Sequence, residues 1–352
     1  MDYNYCDFKR FIVDGRAIIP KGVTLINDHA FEECSDLISI SIPDSVTKIG
    51  DGAFKNCFNL REIEIPNSLT EIGDSAFDGC WSLTCIEIPN SVSKIRAGAF
   101  CNCKSLANIE IPNSITEIND LTFWGCSNLK SIAIPKSVRW IGSRVFNYCS
   151  NLSSIVVQDS NPFYTSIDNC LLNKTLDYLL AGCNESIIPF TVDSIAPNAF
   201  CGSGLTNINI PDSINKIVEG MFMNCNNLTQ IVIPKSIKEI GSYAFKGCAN
   251  LSTVILPDSE IEIANAFWGC TSLTSLEIPS NKIRFYSDSL DGCFELNTII
   301  VREDDPDNVR SIGYAIPYEQ WSSITLIVPI GTGYAYRHHP YFSQFKEILP
   351  IL

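Results

Sequence analysis

The chain of 352 residues is poor in histidine, a frequent catalytic and metal-binding side chain. It contains only three histidines, His29, His338 and His339, and they are too few and too scattered for a histidine-based active site. The sequence has no G-x-S-x-G, Walker-loop or H-E-x-x-H motif. These absences predict a protein that is not an enzyme and that holds neither a metal ion nor a cofactor.

Basic residues are also scarce. The sequence has 25 Lys and Arg against 39 Asp and Glu, which gives a net charge of −14. This excess argues against nucleic acid as a partner, because phosphates require a basic face, and equally against an anionic membrane surface. No run of about 18 apolar residues occurs, so no membrane insertion is predicted.

The first residues, MDYNYCDFKRFIVDG, are acidic and aromatic where a secretory signal would have a basic end and an apolar stretch. Two explanations remain open: the protein is made without such a signal, or the signal has been removed. If the absence is genuine, it favours a cytoplasmic location. Sixteen cysteines, read as thiols, fit a reducing compartment better than an oxidising one.

What the chain has in abundance is a repeat of 23 residues. Proline, phenylalanine and cysteine each recur at this step, as in Pro43, Pro66, Pro89, Pro112 and Pro135. A fixed period of this length is typical of a solenoid, in which each repeat contacts only its neighbours. Counting from Phe31 to Leu290, the sequence predicts about eleven repeats of 22 to 23 residues.

One repeat, from Leu60 to Cys80, shows how a coil of the solenoid forms. Its L-x-x-I-x-I start predicts a strand, and Pro66 predicts the turn that follows. A second short strand includes Ile72, Gly73 is interpreted as permitting a sharp bend, and the A-F-x-x-C segment is interpreted as one helical turn. The predicted fold is therefore a mainly β solenoid with short helical turns, whose parallel strands stack coil on coil at ~4.8 Å.

Ten cysteines share one position of the repeat. A stacked column of buried thiols is our interpretation, because free cysteine packs as a small hydrophobe. Disulfides between adjacent coils are the alternative, and metal binding is a remote one because the spacing of zinc ligands is missing. The column contains the following residues: Cys34, Cys57, Cys80, Cys103, Cys126, Cys149, Cys225, Cys248, Cys270 and Cys293.

Five segments are predicted, all within one continuous solenoid domain. An N-terminal hairpin at Asp14-Gly15 and a C-terminal piece would cap the two ends, and this argues for a monomer because sheet edges are covered. The insert is interpreted as a hairpin of Cys170 to Leu172 and Leu176 to Leu180, and the C-terminal piece as a last strand at 324–329 and a short helix. The segments are a cap at 1–19, repeats at 20–157, an irregular insert at 158–188, repeats at 189–300 and a cap at 301–352.

The outward positions of the first strand form one candidate site. Glu64, Glu87 and Glu110 are predicted to stack on successive coils, and the same column turns apolar at Val232 and Ile255. Stacked carboxylates ~5 Å apart repel one another unless solvent or a cation intervenes. The acidic row is either a solvated stripe or a binding stripe for a basic partner or Ca²⁺.

The second candidate site lies next to the insert. Arg139 and Trp140 occupy second-strand positions where other coils have threonine, serine, lysine or glutamate, and the insert supplies Phe163 and Tyr164. Trp and Arg are enriched in interface hot spots, so these four residues predict a partner-binding surface. The alternative is that Trp140 packs beneath the hairpin.

The tile L-x-x-I-x-IP-x-S-V-x-x-I-G-x-x-A-F-x-x-C resembles the BspA-like (Treponema-type) leucine-rich repeats, over residues 20 to about 300. The hairpin segment and ITLIVPIGTGYAY resemble a variant repeat and the usual ending of that family. The resemblance implies a leucine-rich-repeat fold without catalytic residues, and a bacterial surface protein that adheres to host extracellular-matrix proteins. An intracellular protein-interaction scaffold of the same fold is the alternative.

Overall fold

The computed structural model describes residues 9–175, 178–286, 288–309 and 311–351. The chain divides into two compact units, Met1–Leu176 with Ala181–Ser186, and Asp177–Leu180 with Ile187–Leu352. Each unit is a stack of short strands and turns with little helix, as the repeat predicts. The predicted segment boundaries, and the single continuous domain, remain predictions.

The strands of the first unit are two to four residues long, one pair for each coil. They are β1 (Ile12–Val13), β2 (Arg16–Ile18), β3 (Leu25–Ile26), β4 (Ser39–Ser41), β5 (Lys48–Ile49), β6 (Glu62–Glu64), β7 (Glu71–Ile72), β8 (Cys85–Ile86), β9 (Lys94–Ile95), β10 (Asn108–Ile109), β11 (Glu117–Ile118), β12 (Ser131–Ile134), β13 (Trp140–Ile141), β14 (Ser154–Val157), β15 (Tyr164–Ile167) and β16 (Cys170–Asn173).

Strand β1 pairs antiparallel with β2 across the turn at Asp14-Gly15, and β2 to β14 form two parallel ladders with a step of 23 residues. In the first ladder, Ala17 of β2 lies beside Ile40 of β4, and Ile40 beside Ile63 of β6. In the second ladder, Ile49 of β5 lies beside Ile72 of β7. The isoleucines are buried and the residues that flank them in the first ladder point outward, so alternate residues fill the core as the pattern predicts.

The interior is built from two columns. Phenylalanines from Phe31 to Phe146 stack with ring centroids 5.2 to 6.0 Å apart. The cysteine column is buried, and each thiol from Cys57 to Cys149 donates a hydrogen bond to the phenylalanine carbonyl of the preceding coil at 3.0 to 3.2 Å. The prediction of a stacked thiol column is confirmed, and burial raises the pKa of Cys149 to about 12.

Gly73 has a different role from the one predicted. Its φ is not positive, but a Cβ there would lie 2.5 Å from Oδ1 of Asp51 in the preceding coil. That carboxylate accepts the backbone N–H of Asp74 at 2.9 Å, and Asp28 and Asp74 accept equivalent amides of the coils that follow them. Glycine at this position therefore leaves room for the aspartate and the backbone of the preceding coil, although the next coil has Arg96 at the equivalent position.

The insert contains an antiparallel pair, β15 with β16, in which Tyr164 lies opposite Asn173. The turn of this hairpin is at Asp168 and Asn169, both of which have positive φ. The predicted hairpin of Cys170 to Leu172 and Leu176 to Leu180, with its turn at 173–175, has strands in the same places: Cys170–Asn173 and Tyr178–Ala181, with turn residues Lys174 and Thr175 after the first. Two residues of its second strand, 176 and 177, lie outside the described residues.

The second unit repeats the same plan. Its strands are β17 (Tyr178–Ala181), β18 (Ser194–Ile195), β19 (Lys216–Ile217), β20 (Gln230–Val232), β21 (Glu239–Ile240), β22 (Thr253–Ile255), β23 (Ile261–Ile263), β24 (Ser275–Ile278), β25 (Ile283–Phe285), β26 (Thr298–Val301), β27 (Thr325–Val328) and β28 (Glu347–Pro350). Phe200, Phe222, Phe245 and Phe267 form its aromatic column, with centroids 5.3 to 5.4 Å apart.

The C-terminal residues extend the sheet further than predicted. Strand β27 coincides with the predicted last strand, but β28 adds another, and β24, β26, β27 and β28 form one parallel ladder. The helices are short: α1 is Ile312–Ala315, α2 is Gly333–His338, and 3-10 turns occupy Pro306–Val309, Tyr318–Ser323 and Phe342–Gln344. Strands in both predicted caps explain why about 14 turns form instead of about eleven.

Candidate functional site

Trp140 lies at the end of a row of charged side chains on the second ladder of the first unit. Strand β13 pairs with β11, which places Trp140 beside Glu117. One member of this row, Glu71, is neutralised within the protein: its Oε1 lies 3.3 Å from Lys48 Nζ and 2.7 Å from Arg96 Nε. The hydrogen bond from Arg96 lowers the pKa of Glu71. The row thus offers a self-paired glutamate and one large aromatic surface.

Asn161 fixes the insert against the coil that bears Trp140. Its side chain is fully buried, and Nδ2 donates to the carbonyls of Pro135 at 2.9 Å and Val138 at 3.0 Å. Its Oδ1 accepts the backbone amides of Phe163 and Tyr164 at 2.8 and 2.9 Å. One amide side chain therefore satisfies four backbone groups of two segments. Sequence reasoning missed this residue, since it lies outside the repeat and its partners are distant in sequence.

Tyr164 is an interior residue, contrary to its predicted place in the binding surface. Its hydroxyl accepts a hydrogen bond from the backbone N–H of Ile141 at 3.1 Å, and only 5% of the residue is exposed. Burial raises its pKa. Other backbone amides of the second ladder donate to backbone carbonyls of neighbouring coils. The hydroxyl of Tyr164 therefore takes the place of the carbonyl that a further coil would offer to the amide of Ile141.

The other three predicted residues lie at the surface. Trp140 is 44% exposed, Phe163 is 38% exposed and Arg139 is exposed. The hydrogen bond from Ile141 to Tyr164 joins the residue after Trp140 to the residue after Phe163. Tyr164 is therefore buried against the coil that bears Trp140, whereas Trp140 keeps 44% of its surface exposed.

The three glutamates of the acidic row lie on the outward side of the first ladder. Glu64 ends β6, and Glu87 and Glu110 follow β8 and β10 directly; all three are exposed. A shallow groove beside Glu87 and Glu110 is also lined by Cys85, Asn108 and Pro89. Within the described ranges, no group of three His, Cys, Asp or Glu side chains is arranged to hold a metal ion.

Two further surface clusters follow from the stacking of coils. Trp81 lies between Phe58, at 4.4 Å between ring centroids, and the ammonium of Lys104, 4.0 Å from its centroid. In the second unit, Lys246 lies 4.2 Å from the ring centroid of Trp268. In each case a lysine of a neighbouring coil lies over the tryptophan ring, so contacts within the protein fix the position of these rings.

Comparison with known families and structures agrees with this geometry. A model of the BspA type leucine rich repeat region matches in six copies, over residues 15–87, 70–189 and 193–321. The chain belongs to this family of leucine-rich-repeat proteins. No curated protein matches it in sequence.

Three solved structures illustrate the similarity. A leucine rich cell surface protein of Faecalibacterium prausnitzii is 26% identical, with a TM-score of 0.55 over 85% of this chain and 90% of that one. A leucine-rich repeat protein of Eubacterium ventriosum is 21% identical, with a TM-score of 0.57 over 96% and 82% of the two chains. The pneumococcal vaccine antigen PcpA is 19% identical, with a TM-score of 0.63 over 97% and 90%. The last two show the fold alone.

The described part of the chain contains no helix that is long and apolar enough to cross a membrane. The family and the fold define a repeat protein whose long faces are suited to contact other proteins.

Proposed function

We propose that this chain is a non-enzymatic protein-binding solenoid whose partner contacts Arg139, Trp140 and Phe163. The observation that supports the proposal is the exposure of Trp140, 44%, in a row in which Glu71 is already paired with Lys48 and with Arg96. Trp and Arg contribute most to binding where they form a cluster that a partner can desolvate. The buried amide of Asn161 holds the backbone of Phe163 in place, which lowers the entropy cost of binding.

The partner we propose is a host extracellular-matrix protein, with the protein acting in bacterial adhesion at the cell surface. The similar protein of Faecalibacterium prausnitzii is described as a cell surface protein, and this supports the location. The exposed row of Glu64, Glu87 and Glu110 favours partners with a basic surface, since opposite potentials steer association. An intracellular scaffold of the same fold is the second candidate, supported by the buried thiol column.

The experiment is an array of immobilised matrix proteins probed with the folded chain, in parallel with Trp140→Ala. Removing a desolvated tryptophan from an interface typically costs 2 kcal/mol or more, so we expect at least a roughly tenfold loss of affinity. The matched control is Trp81→Ala, because Trp81 is 43% exposed but lies on a different part of the coil. Labelling of surface proteins on intact cells then distinguishes adhesion from the intracellular alternative.

The proposed surface is wrong if folded Trp140→Ala binds every partner as tightly as the unchanged chain. The adhesion proposal is wrong if intact cells expose none of the protein to the label.

A further inference from the structure

One outward column of the second unit is aliphatic on five of six successive strands. The ladders place Val232 beside Ile255, and Glu277 beside Ile300, then Ile327, then Leu349. Val232 and Ile255 are 55% and 51% exposed, and Leu349 is 38% exposed. We name this set the aliphatic row: Val232, Ile255, Ile300, Ile327 and Leu349.

The aliphatic row is interrupted by a groove. Among the described residues no ladder pair joins β22 to β24, and the repeat step between these strands is one residue shorter than usual. The groove that opens there is lined by Ile255, Pro279 and Ile300, with Thr253, Ser275 and Glu277 at its polar side. The groove therefore gives the row a concave place for a partner side chain.

The charges around the aliphatic row do not favour a strongly charged partner. Glu277 is the one acidic residue within the column, and its carboxylate is paired with Arg302 at 2.8 Å. The adjacent outward column is mostly uncharged, with threonine or serine on four strands: Thr253, Ser275, Thr298 and Thr325. The complementary surface is an apolar seam with neutral polar flanks, unlike the basic surface that suits the acidic row of the first unit.

The size of the row argues against a second copy of the chain as its occupant. A stable protein interface needs roughly 20 to 30 residues from each side, whereas the row offers five aliphatic side chains in a single file, of which Ile300 and Ile327 are half-buried. A narrow file of this kind fits one secondary-structure element of a partner.

Spacing selects which element fits. Side chains of the row recur at ~4.8 Å, the distance between neighbouring strands. The apolar seam of an α-helix advances ~5.4 Å per turn, whereas same-face residues of an extended strand recur at ~6.8 Å. The mismatch is thus about 0.6 Å per contact for a helix and about 2 Å for a strand. Five steps cover about 24 Å, the length of a helix of roughly 16 residues.

We propose that the aliphatic row binds an amphipathic α-helix of a partner protein, lying along the row with one side chain in the groove between β22 and β24. This proposal rests on the proposed function, protein binding, and assigns a second contact surface and a partner element to it. Helices that dock by an apolar seam in a groove are an established mode of recognition.

The test measures fluorescence anisotropy with the full chain and three labelled synthetic peptides of 18 residues. The first is helical with leucines at i, i+4, i+7, i+11 and i+14, the second has the same composition in scrambled order, and the third alternates leucine and threonine as a strand. We expect the helical peptide to bind at least tenfold more tightly than the other two.

Ile255→Glu should weaken the binding of the helical peptide tenfold or more, and Val156→Glu should leave it unchanged. Val156 is the matched control, since it is 50% exposed at the same outward register in the first unit.

Equal binding of the helical and scrambled peptides overturns the proposal, as does unchanged affinity in a folded Ile255→Glu variant. Tighter binding of the strand peptide would assign the row to an extended partner and also overturn it. Circular dichroism and a thermal melt establish that both variants fold. If the peptides fail while a matrix protein still binds in a Trp140-dependent manner, the helix proposal is wrong and the proposed function stands.

Discussion

At the scale of single residues, the core of each coil is completed by its neighbour. A column thiol such as Cys103 donates to the carbonyl of Phe77 in the preceding coil, so a small apolar side chain also satisfies a buried acceptor. The aspartates in the turns act in a similar way, because Asp120 accepts the amide of Ser143 at 2.6 Å. The repeated residues therefore serve packing and hydrogen bonding together, which leaves partner binding to positions that vary between coils.

The thiol column predicts a sharp contrast in chemical reactivity. Burial raises the pKa of Cys149 and of Cys248 to about 12, so at pH 8 only about one in 10⁴ of these thiols is ionised, and the thiolate is the reactive form. Iodoacetamide should modify exposed Cys85 within minutes and leave Cys149 and Cys248 intact until the chain unfolds. Mass spectrometry of peptides, with and without urea, measures each site.

Raising the pH from 8 to 9 in the native state should not release the buried thiols, because both values lie far below a pKa of about 12. Rapid alkylation of Cys149 in native buffer would show that the column is open to solvent and contradict this interpretation.

At the scale of elements, the insert replaces a coil. The hydroxyl of Tyr164 accepts the amide of Ile141, and Asn161 accepts and donates between the insert and the preceding turn. A strand edge with unpaired amides is costly when buried and prone to pairing when exposed. The insert thus ends the second ladder of the first unit and also presents Phe163 near Trp140.

Replacing Tyr164 with Phe tests this role directly. The amide of Ile141 would lose its acceptor, which costs about 1 to 3 kcal/mol for a buried donor. Hydrogen exchange at Ile141 should accelerate by about tenfold or more, since each 1.4 kcal/mol is a factor of ten. The matched control is Phe163→Leu, an adjacent exposed position, which should leave that amide protected. Unchanged protection in Tyr164→Phe would show that water or another group satisfies Ile141.

The sequence was sufficient to predict the elements that repeat, and insufficient for those that do not. Periodic Ile, Phe and Cys positions predict both ladders and both interior columns, because every coil faces the same environment. Asn161, the turn at Asp168 and strand β28 each occur once, so no period marks them. Trp140 and Phe163 were identified because they differ from the repeat pattern. The burial of Tyr164 was not predicted, because it depends on a contact with Ile141 that residue types do not reveal.

At the scale of the whole molecule, stability accumulates coil by coil. Each coil contacts its neighbours through the two ladders, the phenylalanine stack and the thiol column, as Phe77 shows between Phe54 and Phe100. In such arrays the free energy of folding is approximately a sum of coil and interface terms. Removing a complete coil should therefore shorten the first unit without destroying its fold, whereas removing part of one should not be tolerated.

Deletion of residues 88–110 is the decisive case. It joins Glu87 to Ile111 in phase, brings Phe77 next to Phe123 and leaves Asp74 to accept the amide of Asp120 in place of Ala97. At about 0.05 to 0.15 kcal/mol per residue, loss of one 23-residue coil should lower the free energy of unfolding by about 1 to 3 kcal/mol. Urea unfolding followed by circular dichroism should remain cooperative.

The control deletes only residues 88–98, which moves core positions out of register and should abolish cooperative unfolding. If both deletions behave alike, the coils are not the independent units that the 23-residue period implies.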